Sequence, residues 1–264
     1  MKNIIVVTGA SSGMGREFAI QIARKIRADE IWVIARRKEQ LDELKKEIRI
    51  PVRSLALDLS KKKDLESYQE KLKQEHPNIK VLANCAGFGK INHYENEDTQ
   101  TYLNMIDLNN KAVVAMIGYS LPYMAYHAKI MNLVSDSAFQ PLPYLNVYAA
   151  TKAFLLSYSR SLNVELKYRG IHVLAVCPFW VHTEFFDRAL NETDKQIIYR
   201  YGTIYKKQDV IERAIKDLYS NRDVSVYGIR NKLQRIGAKC FPHALTMKVW
   251  MKYQKFDGTP NTRK

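Results

Sequence analysis

The segment YAATK, residues 148–152, carries the two side chains with the most evident chemistry, Tyr148 and Lys152. In a helix, residues four positions apart lie on one face, one turn from each other. A phenol with a pKa of ~10 releases its proton slowly at neutral pH, and a cation within about 4–6 Å lowers that pKa. Such a pair can protonate the alkoxide formed when hydride reduces a ketone, or take a proton from an alcohol in reverse.

A tyrosine–lysine pair at this spacing is weak evidence alone, because many helix surfaces carry one. The pair gains weight only if the chain also builds a scaffold that buries it and a site for the hydride donor. The elements around the pair therefore have to be identified first.

Short β-branched runs alternate with longer amphipathic stretches along the chain. The predicted strands are Asn3–Val7, Ile31–Ala35, Val52–Leu57, Val81–Asn84, Ile130–Val134, Ile171–Val176 and Val224–Tyr227. The predicted helices between them are Met14–Ala28, Lys38–Arg49, Lys61–Glu75, Asp98–Tyr126, Tyr148–Tyr168 and Gln208–Ser220. This alternation indicates parallel β-α-β units with right-handed crossovers, and the nearly all-apolar strands indicate helices on both faces. We predict one α/β domain of the doubly wound Rossmann type, with a mostly parallel seven-stranded sheet flanked by helices.

A glycine-rich turn, TGASSGMG, follows the first predicted strand and opens the first helix near Met14. Glycines at Gly9, Gly13 and Gly15 let the backbone turn tightly and approach a ligand. The amides and the positive dipole end of the helix then point at that place. Together with the hydroxyls of Ser11 and Ser12, this position between strand and helix predicts a pyrophosphate site for a dinucleotide.

The spacing G-x-x-x-G-x-G, together with YxxxK, resembles the short-chain dehydrogenase/reductase family over the chain up to about Thr183. The resemblance implies a catalytic serine at Ser135, thirteen residues before Tyr148 at the end of the fifth strand, where it would polarise the substrate oxygen. Ser137, offset by two, is the second choice. It also implies that Lys152 holds the nicotinamide ribose, and that Asn109 in DLNNKA holds a water that relays protons from Lys152.

The same resemblance places further cofactor contacts. Asp58 and Leu59 in LDLS would lie on the adenine side, and NCAG resembles the family's NNAG element. There Asn84 would stabilise the sheet, while Ala86 and Gly87 would let the cofactor lie close. After the sixth strand the family has PGxxxT and this chain has PFWVHT. Contacts are expected from Pro178, Val181 and Thr183, and Phe179 in place of the glycine is expected to reshape the nicotinamide pocket.

The end of the second strand reads VIARRKEQ, with Ala35 where an enzyme that prefers NAD usually carries an acid. Arg36 and Arg37 follow it. A guanidinium suits a 2′-phosphate, which an acid would repel. The sequence therefore predicts NADP(H) as the cofactor, with Arg36 as the main contact.

Aromatic and aliphatic residues are expected to wall the substrate pocket: Phe88, Phe139, Leu142, Tyr144, Phe179, Phe185 and Phe186. Few fixed charges appear among them. That composition favours a bulky apolar ketone or alcohol, steroid-like or a fatty 3-oxoacyl group, over a sugar or a 2-keto acid. Residues 184–206, with Tyr199, Tyr201 and Tyr205, are a candidate substrate lid.

The charge is large and unevenly spread. The 264 residues carry a net charge of +15, and from residue 228 onward nine Lys/Arg face one acid, Asp257. We therefore divide the chain into a Rossmann catalytic region, 1–228, and a basic helical extension of the same domain, 229–264. The extension is either a solvated helical face or a surface for an anionic partner or membrane. The alternative function is an NADP(H)-binding sensor or scaffold that docks through this extension.

The sequence does not favour a secreted, membrane-spanning or metal-binding protein. The opening residues are too short an apolar run for a secretory signal, no stretch is long enough to span a membrane, and the spacing of histidines and cysteines predicts no metal site. Cys85, Cys177 and Cys240 are interpreted as reduced thiols of a cytoplasmic protein. No nucleic-acid motif is present, and the family resemblance implies a homodimer or homotetramer.

Overall fold

Parallel strands form the centre of the molecule. The computed structural model describes residues 1–185, 189 and 200–256, and within them seven strands form one sheet with the order β3-β2-β1-β4-β5-β6-β7. All six strand pairings are parallel. The strands are β1 Asn3–Thr8, β2 Glu30–Ala35, β3 Val52–Ala56, β4 Asn78–Asn84, β5 Met124–Leu133, β6 His172–Val176 and β7 Val224–Ser225. The predicted doubly wound Rossmann-type fold is confirmed.

Helices connect the strands and cover both faces of the sheet. We number the described helices α1 Gly13–Lys25, α2 Lys38–Glu43, α3 Lys62–Glu75, α4 Thr99–Ile106, α5 Ala112–Ser120, α6 Asn146–Glu165, α7 Lys207–Tyr219, α8 Ile229–Cys240 and α9 His243–Gln254. Short 3-10 turns occupy Leu44–Lys46, Tyr94–Asn96, Leu121–Tyr123, Asp136–Phe139 and Leu166–Arg169. Among the described helices, none has the length and apolar character needed to cross a membrane.

The long helix predicted over Asp98–Tyr126 is interrupted. A π-helical turn, Asp107–Lys111, separates α4 from α5, and the 3-10 turn containing Pro122 ends the helical run before β5 begins at Met124. Wider turns of this kind often occur at functional sites. This one places two buried asparagines, Asn109 and Asn110, against neighbouring elements.

Alternation along the buried strands divides the core into two layers. In β1, Ile4 and Val6 pack with the layer that contains α3 and α5, whereas Ile5 and Val7 pack with the layer that contains α1 and α7. Successive side chains of a strand point to opposite faces, so both faces of this central strand are apolar. The polar groups that could carry function are therefore left to the strand ends.

The carboxyl ends of β1 and β4 are joined by one side chain. The hydroxyl of Thr8 accepts hydrogen bonds from the backbone amides of Cys85 and Ala86, at 3.0 and 3.1 Å. Thr8 is buried at 1% exposure. It thus fixes the start of the glycine turn against the segment after β4.

We expect Thr8→Val to destabilise the protein by about 1–3 kcal/mol, because two buried amides lose their acceptor while the side-chain volume is kept. For a chain of this length that corresponds to a fall in Tm of roughly 2–4 °C per kcal/mol. Thermal unfolding followed by circular dichroism measures it. Thr8→Ser, which keeps the hydroxyl, is the matched control, and equal Tm values for the two variants would contradict the assigned role.

Candidate active site

Three residues from separate parts of the sequence meet at the carboxyl edge of the sheet. Ser135 lies just beyond the end of β5, and Tyr148 and Lys152 lie on the first turns of α6. All three are buried and line one cavity of about 740 Å³. The structure therefore brings together the serine, tyrosine and lysine that the sequence predicted.

Tyr148 and Lys152 are neighbours, as their spacing requires. The Nζ atom of Lys152 lies 5.6 Å from the centre of the Tyr148 ring and donates a 2.8 Å hydrogen bond to the backbone carbonyl of Leu133. This bond ties α6 to the end of β5. The ammonium therefore faces the ring from a position fixed by the sheet.

The pKa of Tyr148 differs from the sequence expectation. Burial raises this pKa above its ordinary value, the Ser135 hydroxyl opposes the rise, and Asp136 and Cys177 add to it. Lys152 is not among the groups that shift the pKa of Tyr148; burial lowers the pKa of the lysine itself to about 8, so it stays charged near pH 7. The phenol of Tyr148 therefore holds its proton at neutral pH, the state needed to donate one.

Ser135 caps the 3-10 turn Asp136–Phe139. Its hydroxyl oxygen accepts from the amide of Ser137 at 3.2 Å, and its proton lies toward Asp136 Oδ1, 3.3 Å away. Ser137 also lines the cavity, and its buried hydroxyl has no partner among the described residues. The unpartnered hydroxyl and the place of the residue in the cavity wall keep Ser137 as a second candidate.

The sequence analysis missed Asp136. This carboxyl lines the cavity beside Ser135, and burial raises its pKa to about 7. The pKa of Asp136 depends on how deeply its side chain is buried, and a sequence motif does not report burial. The only sequence signal was its place directly after the predicted serine.

Asn109 does not line the cavity. Its amide oxygen accepts from the backbone amide of Phe88 at 3.0 Å, and its amide nitrogen donates to the Phe88 carbonyl at 2.9 Å and to Thr151 Oγ1 at 3.1 Å. The adjacent Asn110 donates to the Thr151 carbonyl at 2.8 Å. The π-helical turn thus joins the segment after β4 to α6, between Tyr148 and Lys152.

A second, narrower cavity of about 150 Å³ adjoins the first, and the two share lining residues. It runs along the carboxyl ends of β1, β2 and β3 and the start of α1. The predicted cofactor residues that line it are Gly9, Ser11, Ser12, Gly13, Met14, Gly15, Arg36, Arg37, Asp58, Leu59, Ala86, Gly87 and Thr183. Pro178, Val181, Tyr148 and Lys152 line the larger cavity instead.

Asn84 is the one predicted cofactor contact that reaches neither cavity. It is 2% exposed, and its amide nitrogen donates to Asn132 Oδ1 on β5 at 2.9 Å. Asn132 in turn donates to Ser159 on α6 at 2.9 Å. The residue therefore stabilises the sheet, as expected, from behind the cleft.

The glycines make the narrow cavity fit a dinucleotide. Gly9 has a φ of 65°, and a Cβ there would lie 2.7 Å from the Ala86 amide nitrogen. A Cβ at Gly87 would lie 2.8 Å from Asn109 Oδ1. Glycine at these positions lets the turn after β1 pack directly on the segment after β4, and that segment on Asn109. The start of α1 turns its free amides toward the same cleft.

Two arginines stand at the far end of this cleft. Arg36 and Arg37 are exposed and line it, and Arg37 Nη2 donates to Ser11 Oγ at 3.2 Å. Arg37 thereby links the end of β2 to the glycine turn. The Arg36 guanidinium makes no hydrogen bond or ion pair to the described residues.

Phe179, at the position where the resemblance led us to expect glycine, is accommodated by Gly202. Its ring lies against Gly202, where any added Cβ would meet it. Phe179 also contacts Trp180 edge-to-face, with ring centres 5.9 Å apart. The bulk of Phe179 therefore forms part of the wall of the large cavity.

The predicted pocket wall is confirmed only in part. Leu142, Phe179 and Phe185 line the large cavity, and Phe88 lines the cofactor cleft. Phe139 instead borders a small cavity under Arg235. Tyr144 lines neither main cavity, because its ring packs between His93 and Phe256. Phe186, Tyr199 and most of the candidate lid 184–206 lie outside the described residues.

The C-terminal helices supply a wall that the sequence analysis did not predict. α8 and α9 both contribute residues to the lining of the large cavity. The lining residues from this part of the chain are Arg230, Asn231, Gln234, Gly237, Ala238, Phe241, Leu245, Thr246, Val249, Trp250 and Tyr253. Small and amide side chains on one face of α8 could have indicated a cavity-lining helix. The high positive charge of the segment suggested an exposed surface instead.

The burial of Lys152 generates a stability prediction. Its pKa is lowered from an ordinary 10.5 to about 8, so near pH 7 the fold carries a buried ammonium. Between about pH 8 and 10.5 the unfolded chain binds more protons than the folded one, and stability rises with pH in that window. We expect Lys152→Met to stabilise the protein by about 1–3 kcal/mol at pH 7, with the gain shrinking toward pH 10.

Urea unfolding at pH 7 and at higher pH measures this difference. Lys63→Met, at an exposed position on α3, is the control and should change stability by no more than about 0.5 kcal/mol. A Lys152→Met variant that is less stable than wild type at both pH values would contradict the prediction.

Known proteins are similar to this chain in sequence. A family model described as short chain dehydrogenase matches residues 3–194. Sulfoacetaldehyde reductase 2 of Chromohalobacter salexigens is 31% identical over 227 residues, covering 80% of this chain and 86% of that protein. Very-long-chain 3-oxoacyl-CoA reductase-B of Danio rerio is 33% identical over 189 residues, covering 68% of this chain and 60% of that protein.

A solved structure extends the likeness in fold to nearly the whole chain. The short-chain dehydrogenase from Sphingobium yanoikuyae in complex with NADPH has a TM-score of 0.77 at 24% identity, covering 99% of this chain and 100% of that one. The family model spans β1 to β6, including the glycine turn and the serine, tyrosine and lysine. The chain belongs to the short-chain dehydrogenase/reductase family, and it is an oxidoreductase that acts on alcohol and carbonyl groups.

Proposed function

We propose that the protein interconverts a bulky apolar ketone and the matching secondary alcohol with NADP(H). One observation carries this proposal. Ser135, Tyr148 and Lys152 meet on the wall of a large, mostly apolar cavity that adjoins a glycine-lined cleft. The substrate and the dinucleotide would then meet beside the tyrosine.

The nicotinamide cofactor, when bound, supplies the hydride for reduction or accepts it in oxidation. Tyr148 gives its phenolic proton to the substrate oxygen as the carbonyl carbon gains hydride, so that the alcohol forms without a free alkoxide. The raised pKa of Tyr148 keeps this proton in place at neutral pH. In the reverse direction the phenol must first lose its proton, which higher pH favours.

Ser135 orients the substrate oxygen through its hydroxyl proton. Its oxygen already accepts a hydrogen bond from the Ser137 amide. Its proton can therefore be donated either to Asp136 or to the substrate oxygen. Lys152 holds the nicotinamide ribose and places positive charge beside Tyr148. That charge stabilises the phenolate left after proton transfer.

Asn109 contributes to the proton relay through its main chain, while its side chain holds neighbouring segments in place. Its side chain is fully used in holding Phe88 and Thr151. A relay water would therefore be held by the main chain of the π-helical turn, where wider hydrogen bonding leaves carbonyls available. Returning the proton from solvent to Tyr148 through Lys152 would complete the cycle.

The apolar character of the cavity supports the substrate class. Its wall is built mainly from aliphatic and aromatic side chains. Hydroxyl and amide side chains also line it, and its charged side chains are Asp136, Lys152 and Arg230. A volume of about 740 Å³ exceeds what a small aldehyde needs. A steroid-like ketone or a fatty 3-oxoacyl group fits such a site, and the name of the zebrafish relative is consistent with the second.

Assembly and compartment are also proposals. Exposed apolar side chains on α4 and α5, among them Leu103, Ile106 and Val114, support a homodimer or homotetramer. The three cysteines are free thiols, which supports a cytoplasmic location. We propose that residues 229–264 are an extension of the catalytic domain whose described part closes the substrate cavity.

We expect Tyr148→Phe to retain NADPH binding and to lose about 10³-fold or more in kcat, within the range of general acid catalysis. The measurement is NADPH oxidation with a panel of apolar ketones, alongside cofactor binding by fluorescence. Tyr102→Phe removes another buried phenol, one that lines no described cavity, and should keep its activity. Equal turnover of Tyr148→Phe and wild type would remove the assignment, and binding without any turnover in wild type would favour a sensor.

The arginines after β2 set the cofactor preference. We expect Arg36→Ala to lower the ratio of kcat/KM for NADPH over NADH by about 10- to 100-fold, since a charge-assisted contact is worth roughly 1.5–3 kcal/mol. Steady-state kinetics with both cofactors measures the ratio. Arg27→Ala, exposed beyond the other end of α1, should leave it unchanged, and a wild-type enzyme that prefers NADH would contradict the role of Arg36.

A further inference from the structure

Large apolar side chains are exposed along α8 and α9. Seven large side chains there are exposed, at 41–71% of their surface, and we call them the tail surface: Ile229, Leu233, Ile236, Phe241, Leu245, Val249 and Tyr253. In α8, Ile229, Leu233 and Ile236 follow the i, i+4, i+7 spacing that places them on one face. Large apolar side chains exposed in a group on two successive helices favour an interaction site over ordinary solvent contact.

The same segment is strongly basic. Residues 229–256 contain seven Lys/Arg and no Asp or Glu. None of the seven forms an ion pair within the part of the chain that the structure describes. Arg235 lies over the ring of Phe139, and Lys232, Lys239, Lys248 and Lys252 are exposed. An apolar face bordered by unpaired cations is the pattern of a helix that lies on a membrane surface.

The tail surface is continuous with the substrate cavity. Phe241, Leu245, Val249 and Tyr253 belong to the tail surface and also line the cavity. The cavity therefore opens to the outside between large apolar side chains. An apolar molecule held in lipid would meet the same kind of environment on entering it.

We propose that the tail surface docks on a bilayer containing anionic lipids, with the cavity mouth facing the lipid. Charge selects this occupant over a second copy of the chain. Two such surfaces facing each other would bring fourteen cations together without an acid from either segment, and like charges oppose contact. Anionic headgroups satisfy the cations, and the acyl region accepts the apolar stripe.

Vesicle flotation without substrate or cofactor tests the docking separately from the proposed function. Vesicles of phosphatidylcholine mixed with phosphatidylglycerol should carry the protein upward at low salt, and vesicles of phosphatidylcholine alone should carry much less. Raising the salt concentration should release it. Absence of flotation with phosphatidylglycerol at low salt would overturn the proposal.

Two pairs of variants assign any binding to this surface. Lys232→Gln/Lys239→Gln should weaken binding about 10-fold or more, and Leu233→Ser/Ile236→Ser should weaken it on mixed vesicles at every salt concentration. The matched controls are Lys62→Gln/Lys63→Gln on α3 and Val164→Ser/Tyr168→Ser at the end of α6 and in the 3-10 turn after it, also exposed. Equal losses in variants and controls would place the contact elsewhere and overturn the proposal.

Fold and assembly are checked on the same samples. The four substituted tail residues line no described cavity, so turnover of a water-soluble ketone without vesicles should be unchanged. Multi-angle light scattering reports the oligomeric state. If Leu233→Ser/Ile236→Ser splits an oligomer into monomers while lipid binding persists, the surface is a subunit interface and the proposal fails.

Discussion

The burial of one ammonium beside one phenol is the constraint on which this site depends. Lys152 is 5% exposed, donates to the Leu133 carbonyl at the end of β5, and lies over the ring of Tyr148. A buried lysine is costly, and the fold accepts that cost at the carboxyl edge of its sheet. There the helix α6, the strand β5 and the cavity meet, so the proton donor and the hydride site can share one place.

The surrounding elements hold this geometry through few, specific contacts. Thr8 joins the ends of β1 and β4, and Asn109 joins the segment after β4 to α6. Glycines keep the backbone close where a dinucleotide would lie. None of these residues needs to touch the substrate. They fix the distance between the cofactor cleft and the phenol, on which proximity effects in catalysis depend.

Much of this could be predicted from sequence, because strand–helix alternation and the glycine turn are local signals. The parallel sheet, the cleft residues and the meeting of Ser135 with Tyr148 follow from the fold that these signals specify. The pKa of Tyr148 did not follow, since it depends on burial rather than on spacing from Lys152. The π-helical turn and the cavity wall formed by α8 and α9 were missed because both arise from packing between distant segments. The basic composition of residues 229–256 indicated a charged surface. It gave no sign that one face of these helices lines the large cavity.

The pH dependence of kcat/KM in both directions tests the central claim most directly, because it reports the titration of the free enzyme. In the proposed mechanism, reduction needs the protonated Tyr148 and the charged Lys152, whose pKa is about 8. It should be constant through neutral pH and fall as pH rises beyond that value, while alcohol oxidation should increase as pH rises. Rates that do not change with pH in either direction would contradict proton transfer by this buried pair.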